Sequence, residues 1–355
     1  MADAQTMVAA VEADDSAEDR DSALGDSIAS STNSISSSFM KQVIYSYGHT
    51  FLFLIVFHRP RDGSTYSHRE ENGRTYHFYK DGKYVFPNDE IEIDRLDLQH
   101  HLFSLTFNGK LFTAPIGKDK SLHRVLDIGT GTGIWAIDFA DEHPESEVLG
   151  IDLSPIQPQF IPPNVSFRVD DLEDNWKFTN KFDFIYSRMM LGSFNDWPRL
   201  FEQAFANLTP GGYLEIVDVC HPYQSDDGTY PDDSVLQRWT VLLNEALTKT
   251  GRDLGSAKQY KSQLEAAGFV NVVETKYVWP LNRWPKDLKL KELGMWEYEN
   301  LTRGLGAVSM ALFTRILGWT QDQVEALLED VRKDLRNVKM HVYAPLYVVY
   351  GQKPE

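Results

Sequence analysis

The rhythm of apolar and polar residues changes near Arg124. From there on, short apolar runs alternate with amphipathic stretches, the pattern of a βαβ sheet. The runs predict strands over 125–128, 147–151, 165–169, 182–186, 213–219, 270–277 and 341–350. Helical spacing predicts helices over 134–142, stopped before Pro144, and over 196–208, followed by a chain reversal at Pro210-Gly-Gly212. Two more are predicted over 234–250 and 256–267, the second ended by Gly268. The stretch of about 281–340, between the last two strands, also reads as helical. In it Thr320 and Gln323 form a capping box for a helix to about Leu335. An insertion of that size beside a sheet edge predicts a lid. Upstream, residues 89–107 predict a helix with Ile91, Leu96, Leu98, Leu102 and Leu105 on a broad apolar face.

These patterns divide the chain into four parts. Residues 1–38 are rich in Ser, Asp and Ala, so they are expected to be disordered. Residues 39–69 form an atypical apolar insertion. Its run from Val43 to Phe57, broken by Gly48 and His49, falls short of the ~20 residues that cross a bilayer, so no membrane span is expected. Residues 70–120 read as an N-terminal cap, and 121–355 as an α/β domain with the helical insertion. Among 355 residues, 35 basic against 52 acidic side chains leave a net charge of −17, which disfavours direct nucleic-acid binding. A single cysteine, Cys220, excludes an internal disulfide and fits a reducing compartment. With no secretory signal pattern at the N-terminus, the expectation is a soluble intracellular protein of cytoplasm, nucleus or both.

The candidate chemistry lies in Asp127-Ile-Gly-Thr-Gly-Thr-Gly133, directly after one predicted strand and directly before a helix. Gly129, Gly131 and Gly133 let the backbone turn sharply and let a ligand approach it closely, with Thr130 between them. The dinucleotide fingerprint would need a glycine at Ile134, and Asp127 puts a carboxylate where a pyrophosphate would be repelled. A carboxylate suits a cationic ligand such as S-adenosylmethionine (SAM), with its ammonium and sulfonium groups. Asp152, followed by Leu153, ends the next strand and suits two ribose hydroxyls. Asp170-Asp171-Leu172 ends the third and suits the adenine amino group. Ser187 and Arg188, after the fourth strand, and Tyr76 from the cap complete the expected cofactor set. No metal site is expected.

Most of the chain, from Glu71 to Lys353, resembles the fungal LaeA-like family of SAM-dependent methyltransferases. The resemblance is carried by Glu71-Asn-Gly-Arg-Thr-Tyr-His77, Asp97-Leu-Gln-His-His101, the glycine loop, Gly192-Ser-Phe-Asn-Asp-Trp-Pro198, Pro210-Gly-Gly212, Trp284-Pro-Lys-Asp287, Glu292-Leu-Gly-Met-Trp296 and the segment Tyr347 to Lys353. It implies a class I methyltransferase fold, α/β and Rossmann-like, with a seven-stranded sheet, an N-terminal cap and a helical lid. It also implies two kinds of member: pathway enzymes that methylate small molecules, and nuclear regulators of secondary-metabolite clusters working with velvet-type partners. Family members pass from a Ser-rich leader almost directly to the Glu-Asn-Gly-Arg-Thr-Tyr segment, whereas here Met40 to about Pro60 intervenes. We read that stretch as a translated retained intron or a gene-model artefact, the alternative being a packed extra helix or strand. A mature transcript that encodes residues 40–60 would sink the idea.

Methyl transfer from a sulfonium is an in-line displacement, so the protein has mainly to align the reactants and exclude water. Candidate bases are His221, just past the fifth strand, and His100 or His101, of which at most one faces a cleft. Arg188 is placed to orient an acceptor or to pair with Asp183. The aromatics Tyr76, Tyr79, Trp279, Trp284 and Trp296 are expected in the core, with one of them able to meet the sulfonium. The primary expectation is transfer to a small-molecule oxygen or nitrogen, and the alternative is a SAM-binding nuclear regulator.

Overall fold

A computed structural model describes residues 11–14, 68–77, 79–80, 83, 85–117 and 122–355. Residues 39–67 of the apolar insertion, and all of residues 1–38 except 11–14, lie outside these residues, while its last two, His68 and Arg69, are described. Residues 11–14 are not disordered: Ala13 forms an antiparallel bridge with Pro285. This departs from the expectation from composition, and the physical reason is tertiary, since Val11 and Ala13 find apolar partners at Val278, Trp284 and Tyr343.

A hairpin of β1 (His68–Glu71) and β2 (Arg74–His77) leads to α1 (Glu90–Thr106). Asp89 caps α1 by accepting from the Glu92 backbone N–H at 3.1 Å, and it also holds the Arg74 guanidinium. The sheet has seven strands: β3 (Arg124–Ile128), β4 (Glu147–Asp152), β5 (Val165–Val169), β6 (Phe182–Arg188), β7 (Leu208–Val219), β8 (Val270–Pro280) and β9 (Tyr343–Gln352). Their order is β5-β4-β3-β6-β7-β9-β8, with β9 antiparallel to both neighbours and the rest of the β5-to-β7 half parallel. Strand order reverses at β3 and β6, so a crevice opens beyond their carboxyl ends.

The central strands read as nearly solid apolar runs because helices cover both faces. On one face Trp135 and Phe139 of α2 (Ile134–Glu142) join Phe103 of α1, together with α4 (Val235–Thr248), α6 (Leu288–Arg315) and α7 (Gln321–Arg336). On the other face Leu200 and Phe201 of α3 (Trp197–Asn207) meet Leu264 of α5 (Tyr260–Ala266). The Thr320–Gln323 capping box of α7 is present in both directions.

Three expectations change. Pro210-Gly-Gly212 is not a free reversal: α3 runs straight into β7, and Gly211 and Gly212 already pair with Lys353. The helix over 256–267 begins as a single 3-10 turn, Ser256–Gln259, before α5. The inner face of α1 is also more polar than its leucines suggest. Glu92, Gln99 and His100 are buried with Leu102 and Phe103, while Ile91 is exposed. Two of these polar groups are partnered: Arg95 of α1 forks onto Glu92 and is itself held by Asn300 Oδ1 of α6 at 2.8 Å, while His100 meets Asp138 of α2 and Arg188 of β6.

Candidate active site

The cleft beyond β3, β4, β5 and β6 encloses about 1140 Å³, its open mouth included, with one side of α1 as its roof. The loop after β3 forms its floor. Gly129 takes φ 68° and its missing Cβ leaves room for the Met190 thioether, so any side chain there would both strain and collide. Gly131 also needs its positive φ. Gly133 does not line the cleft; it starts α2 at φ 81° and lets Phe167 pack against the turn. Its expected ligand role is thus a packing role.

Asp127, at the end of β3, accepts from Thr130 Oγ1 at 2.6 Å. Burial pushes its carboxyl up to about 7, against the pull of the Thr130 bond and the Arg188 charge. Asp152 accepts from the backbone N–H of Gly131 and of Ser154, each at 2.9 Å, one per carboxylate oxygen. Burial raises its pKa too. Each oxygen keeps a second lone pair for a ligand hydroxyl. Asp170 accepts from the Asp171 N–H at 2.9 Å. Asp171 itself is already committed, to Lys80 at 2.5 Å and to Lys83. Burial alone would raise Asp171, but the two ammonium groups bring it below the usual carboxylate range. This leaves Asp170 as the side-chain acceptor at that strand end, with Leu153 and Leu172 as apolar lining.

At the other end, Arg188 lies with Cζ 4.4 Å from the Phe103 ring centroid and Nη2 3.1 Å from His100 Nδ1. His100 Nε2 is 2.9 Å from Asp138 Oδ2. The carboxylate accepts, so Nε2 carries the proton and Nδ1 accepts from the guanidinium. Burial and the Arg188 charge lower the His100 pKa, which keeps the ring neutral. Its one lone pair is taken, and the ring does not line the cleft, so His100 is no general base. His101 instead meets the Trp296 edge at 4.8 Å. Arg188 does not pair with Asp183, whose carboxylate accepts from the His123 and Arg124 N–H groups and from Thr209 Oγ1.

Several other expected residues also lie outside the cleft. The His221 ring faces Tyr223 at 4.5 Å, and burial pushes it down to about 4, so it is neither near the chemistry nor basic. Tyr76 is buried under the Arg315 guanidinium, 4.7 Å from its ring. Ser187 is sealed inside the sheet between β3 and β7. Trp279 donates to Thr106 Oγ1 and Trp284 to the Val342 carbonyl, which fixes both in the core. No residue of the 281–340 insertion lines the cleft; the insertion backs α1 instead of covering the opening.

The cleft also contains residues that sequence reasoning passed over. Glu92, Leu96 and Gln99 present one stripe of α1, at spacings of four and three that a helical wheel would have shown. Met189, Met190, Ser193 and Phe194 come from the loop after β6, where Met189 takes φ 55°. Asp218 anchors that loop, accepting from the Leu191 N–H at 3.1 Å and from Tyr260 Oη at 2.7 Å. Tyr186 lies flat on Trp135, with ring centroids 4.0 Å apart, beside Asp127.

A floor of buried carboxylates held by hydroxyl and backbone donors, over a glycine loop that a side chain would block, fits a cationic nucleoside such as SAM. A profile for the methyltransferase domain matches residues 98–274. The methyltransferase pytC of Aspergillus terreus is 42% identical over 285 residues, covering 80% of this chain and 87% of that protein. The secondary metabolism regulator LAE1 of Cochliobolus heterostrophus is 39% identical, over 83% of this chain and 97% of its own length. The protein-methionine methyltransferase laeA of Emericella nidulans is 35% identical, over 80% and 76% respectively. The chain belongs to the fungal LaeA-like family of SAM-dependent methyltransferases.

Proposed function

We propose that the protein methylates an oxygen or nitrogen of a small-molecule acceptor in fungal secondary metabolism, and that Arg188 receives the acceptor. The observation carrying this reading is the Asp138–His100–Arg188 chain, which holds a permanently charged guanidinium at the cleft wall. SAM, when bound, would supply a methyl group activated on a sulfonium, whose carbon–sulfur bond would break as an in-line acceptor bonds the methyl carbon, leaving S-adenosylhomocysteine as the thioether. Asp127 would hold the ammonium end, Asp152 the ribose hydroxyls and Asp170 the adenine amino group. The stacked Tyr186 and Trp135 and the flat Phe194 give the reacting region apolar walls that exclude water. Arg188 cannot take a proton. It favours the anionic form of an acceptor hydroxyl, whose proton leaves to solvent.

Incubation with labelled SAM and a panel of phenolic and amine metabolites tests this proposal. Transfer that falls by about 100-fold in Arg188→Met is the expected result. No transfer to any metabolite, with SAM binding intact, would overturn it. Two relatives carry names that point instead to regulation or to a protein methionine. Deleting the gene separates the readings: loss of one product supports the enzyme, and altered transcripts across many clusters support the regulator.

A further inference from the structure

The rim where β8 passes into α6 holds a short piece of chain from far away in the sequence. The backbone N–H of Asp14 donates to the Trp284 carbonyl, and that of Lys286 to the Glu12 carbonyl, both at 2.9 Å. These two bonds flank the Ala13–Pro285 pair, so Pro285 stands at the one place in the ladder where no N–H is needed. Val11 and Ala13 turn inward onto Val278, Trp284, Leu290 and Tyr343. Glu12 meets Lys286 Nζ at 2.8 Å, and Asp14 meets Lys291. Register is therefore specified twice: sliding by one residue would bury the acids and expose the aliphatic pair.

We infer that this rim, Trp284 to Lys291, is a docking groove for an extended acidic peptide of the pattern aliphatic-acid-alanine-acid, occupied in cis by residues 11–14. Its chemistry is strand addition: main-chain bonds supply affinity, while the apolar shelf and two lysines select sequence. A long stretch of chain, residues 15–67, separates the cis peptide from the next described strand. The two lysines and the apolar shelf that hold Glu12, Asp14, Val11 and Ala13 suit the same pattern in another chain, so an acidic segment of a protein partner competes with the leader for the groove. The inference is independent of the methyl-transfer reading, since no groove residue lines the cleft.

The test uses the full-length chain and a fluorescein-labelled synthetic peptide with the sequence of residues 9–16. Glu12→Lys with Asp14→Lys disarms the internal ligand, and this chain should bind the peptide about tenfold more tightly than the unaltered chain does. Adding Lys286→Glu with Lys291→Glu to the disarmed chain should abolish binding of the acidic peptide, and because it restores opposite charges between positions 12 and 286 and between 14 and 291 it should re-seat the internal segment, so that a lysine-bearing peptide binds no better than the acidic peptide binds the unaltered chain. Unchanged binding of S-adenosylhomocysteine in every variant reports an intact fold. Hydrogen exchange at the Asp14 and Lys286 amides of the unaltered chain should be slow, and should stay slow at Lys286 only when the disarmed chain is saturated with peptide. No binding to the disarmed chain, equal binding to all variants, or fast exchange at both amides would each overturn the inference.

Discussion

The two ends of the cleft are built by different means. The cofactor end is mostly backbone: a stretch of seven residues, Asp127 to Gly133, running from the end of β3 through the glycine loop, and the ends of two neighbouring strands. Its carboxylates are positioned by contacts such as Thr130 on Asp127 and Ser154 on Asp152, a few residues apart in sequence. The proposed acceptor end is a side-chain assembly. Arg188 of β6 is held by His100 and Phe103 of α1, and His100 by Asp138 of α2. A contiguous motif thus specifies one end, whereas the other exists only once the sheet, α1 and α2 have packed. Changes at the first should therefore strike cofactor binding, and changes at the second turnover.

The largest effect is expected at Gly129. A valine there must adopt a left-handed φ and displace Met190, which together cost about 2–5 kcal/mol. Binding of S-adenosylhomocysteine, followed by calorimetry, should fall beyond detection, with a clear drop in Tm. Next comes Arg188→Met, which should lower kcat by about 100-fold, as the loss of one preorganised charge does elsewhere, while cofactor affinity changes by less than about threefold. If both parameters collapse together, the two ends are not separable and the comparison fails.

Asp127→Asn keeps an acceptor for Thr130 but removes the charge. SAM affinity should weaken by roughly 10- to 100-fold, the worth of a charge-assisted hydrogen bond. Tm should hold or rise at pH 8. The sign follows from linkage. A carboxyl raised to about 7 when folded, against 3.8 as its ordinary value, binds more protons folded than unfolded between those limits. Its contribution to stability is therefore lost as pH rises through that window. Binding a cation requires the ionised form, so affinity should climb with pH towards 7, by at most about tenfold per unit. A cofactor affinity that is flat from pH 6 to 7.5 would show that Asp127 does not carry the ammonium.

The same contrast explains which parts of the molecule could be read in advance. The strand 165–169 and the helix 134–142 were legible to the residue, because Val165, Phe167 and Val169 alternate with polar residues along a half-buried edge strand and Pro144 marks a stop. The acids Asp127, Asp152 and Asp170 were legible because strand order alone brings three strand ends together. His221 misled because a histidine just past a strand end looks like a cleft residue, and only tertiary packing turns it onto Tyr223. The Asp138–His100–Arg188 chain joins residues up to 88 apart, which no local period records. The insertion was read correctly as helical but misplaced, since nothing in its own pattern shows that Asn300 would meet Arg95 on the back of α1.

The smallest expected effect tests where the cofactor end stops. Lys80 and Lys83, from the segment before α1, reach Asp171 beside the expected adenine site, and Lys80 also meets the exposed Asp174 at 2.7 Å. Removing Lys80 leaves Asp171 its second ammonium, so no carboxylate is stranded, and a partly exposed pair is worth under about 1 kcal/mol. Lys80→Ala should therefore weaken cofactor binding by about fivefold at most, with kcat unchanged. Salt should imitate the substitution. At 1 M salt the screening length shrinks to about 3 Å, so the outer Lys80–Asp174 pair fades and the unaltered protein approaches the variant, which itself responds less to salt. Titrating S-adenosylhomocysteine at low and high salt in both proteins measures this. A loss as large as that of Asp127→Asn would mean that the segment before α1 is part of cofactor recognition, and that the boundary between a backbone-built end and a side-chain-built end lies elsewhere.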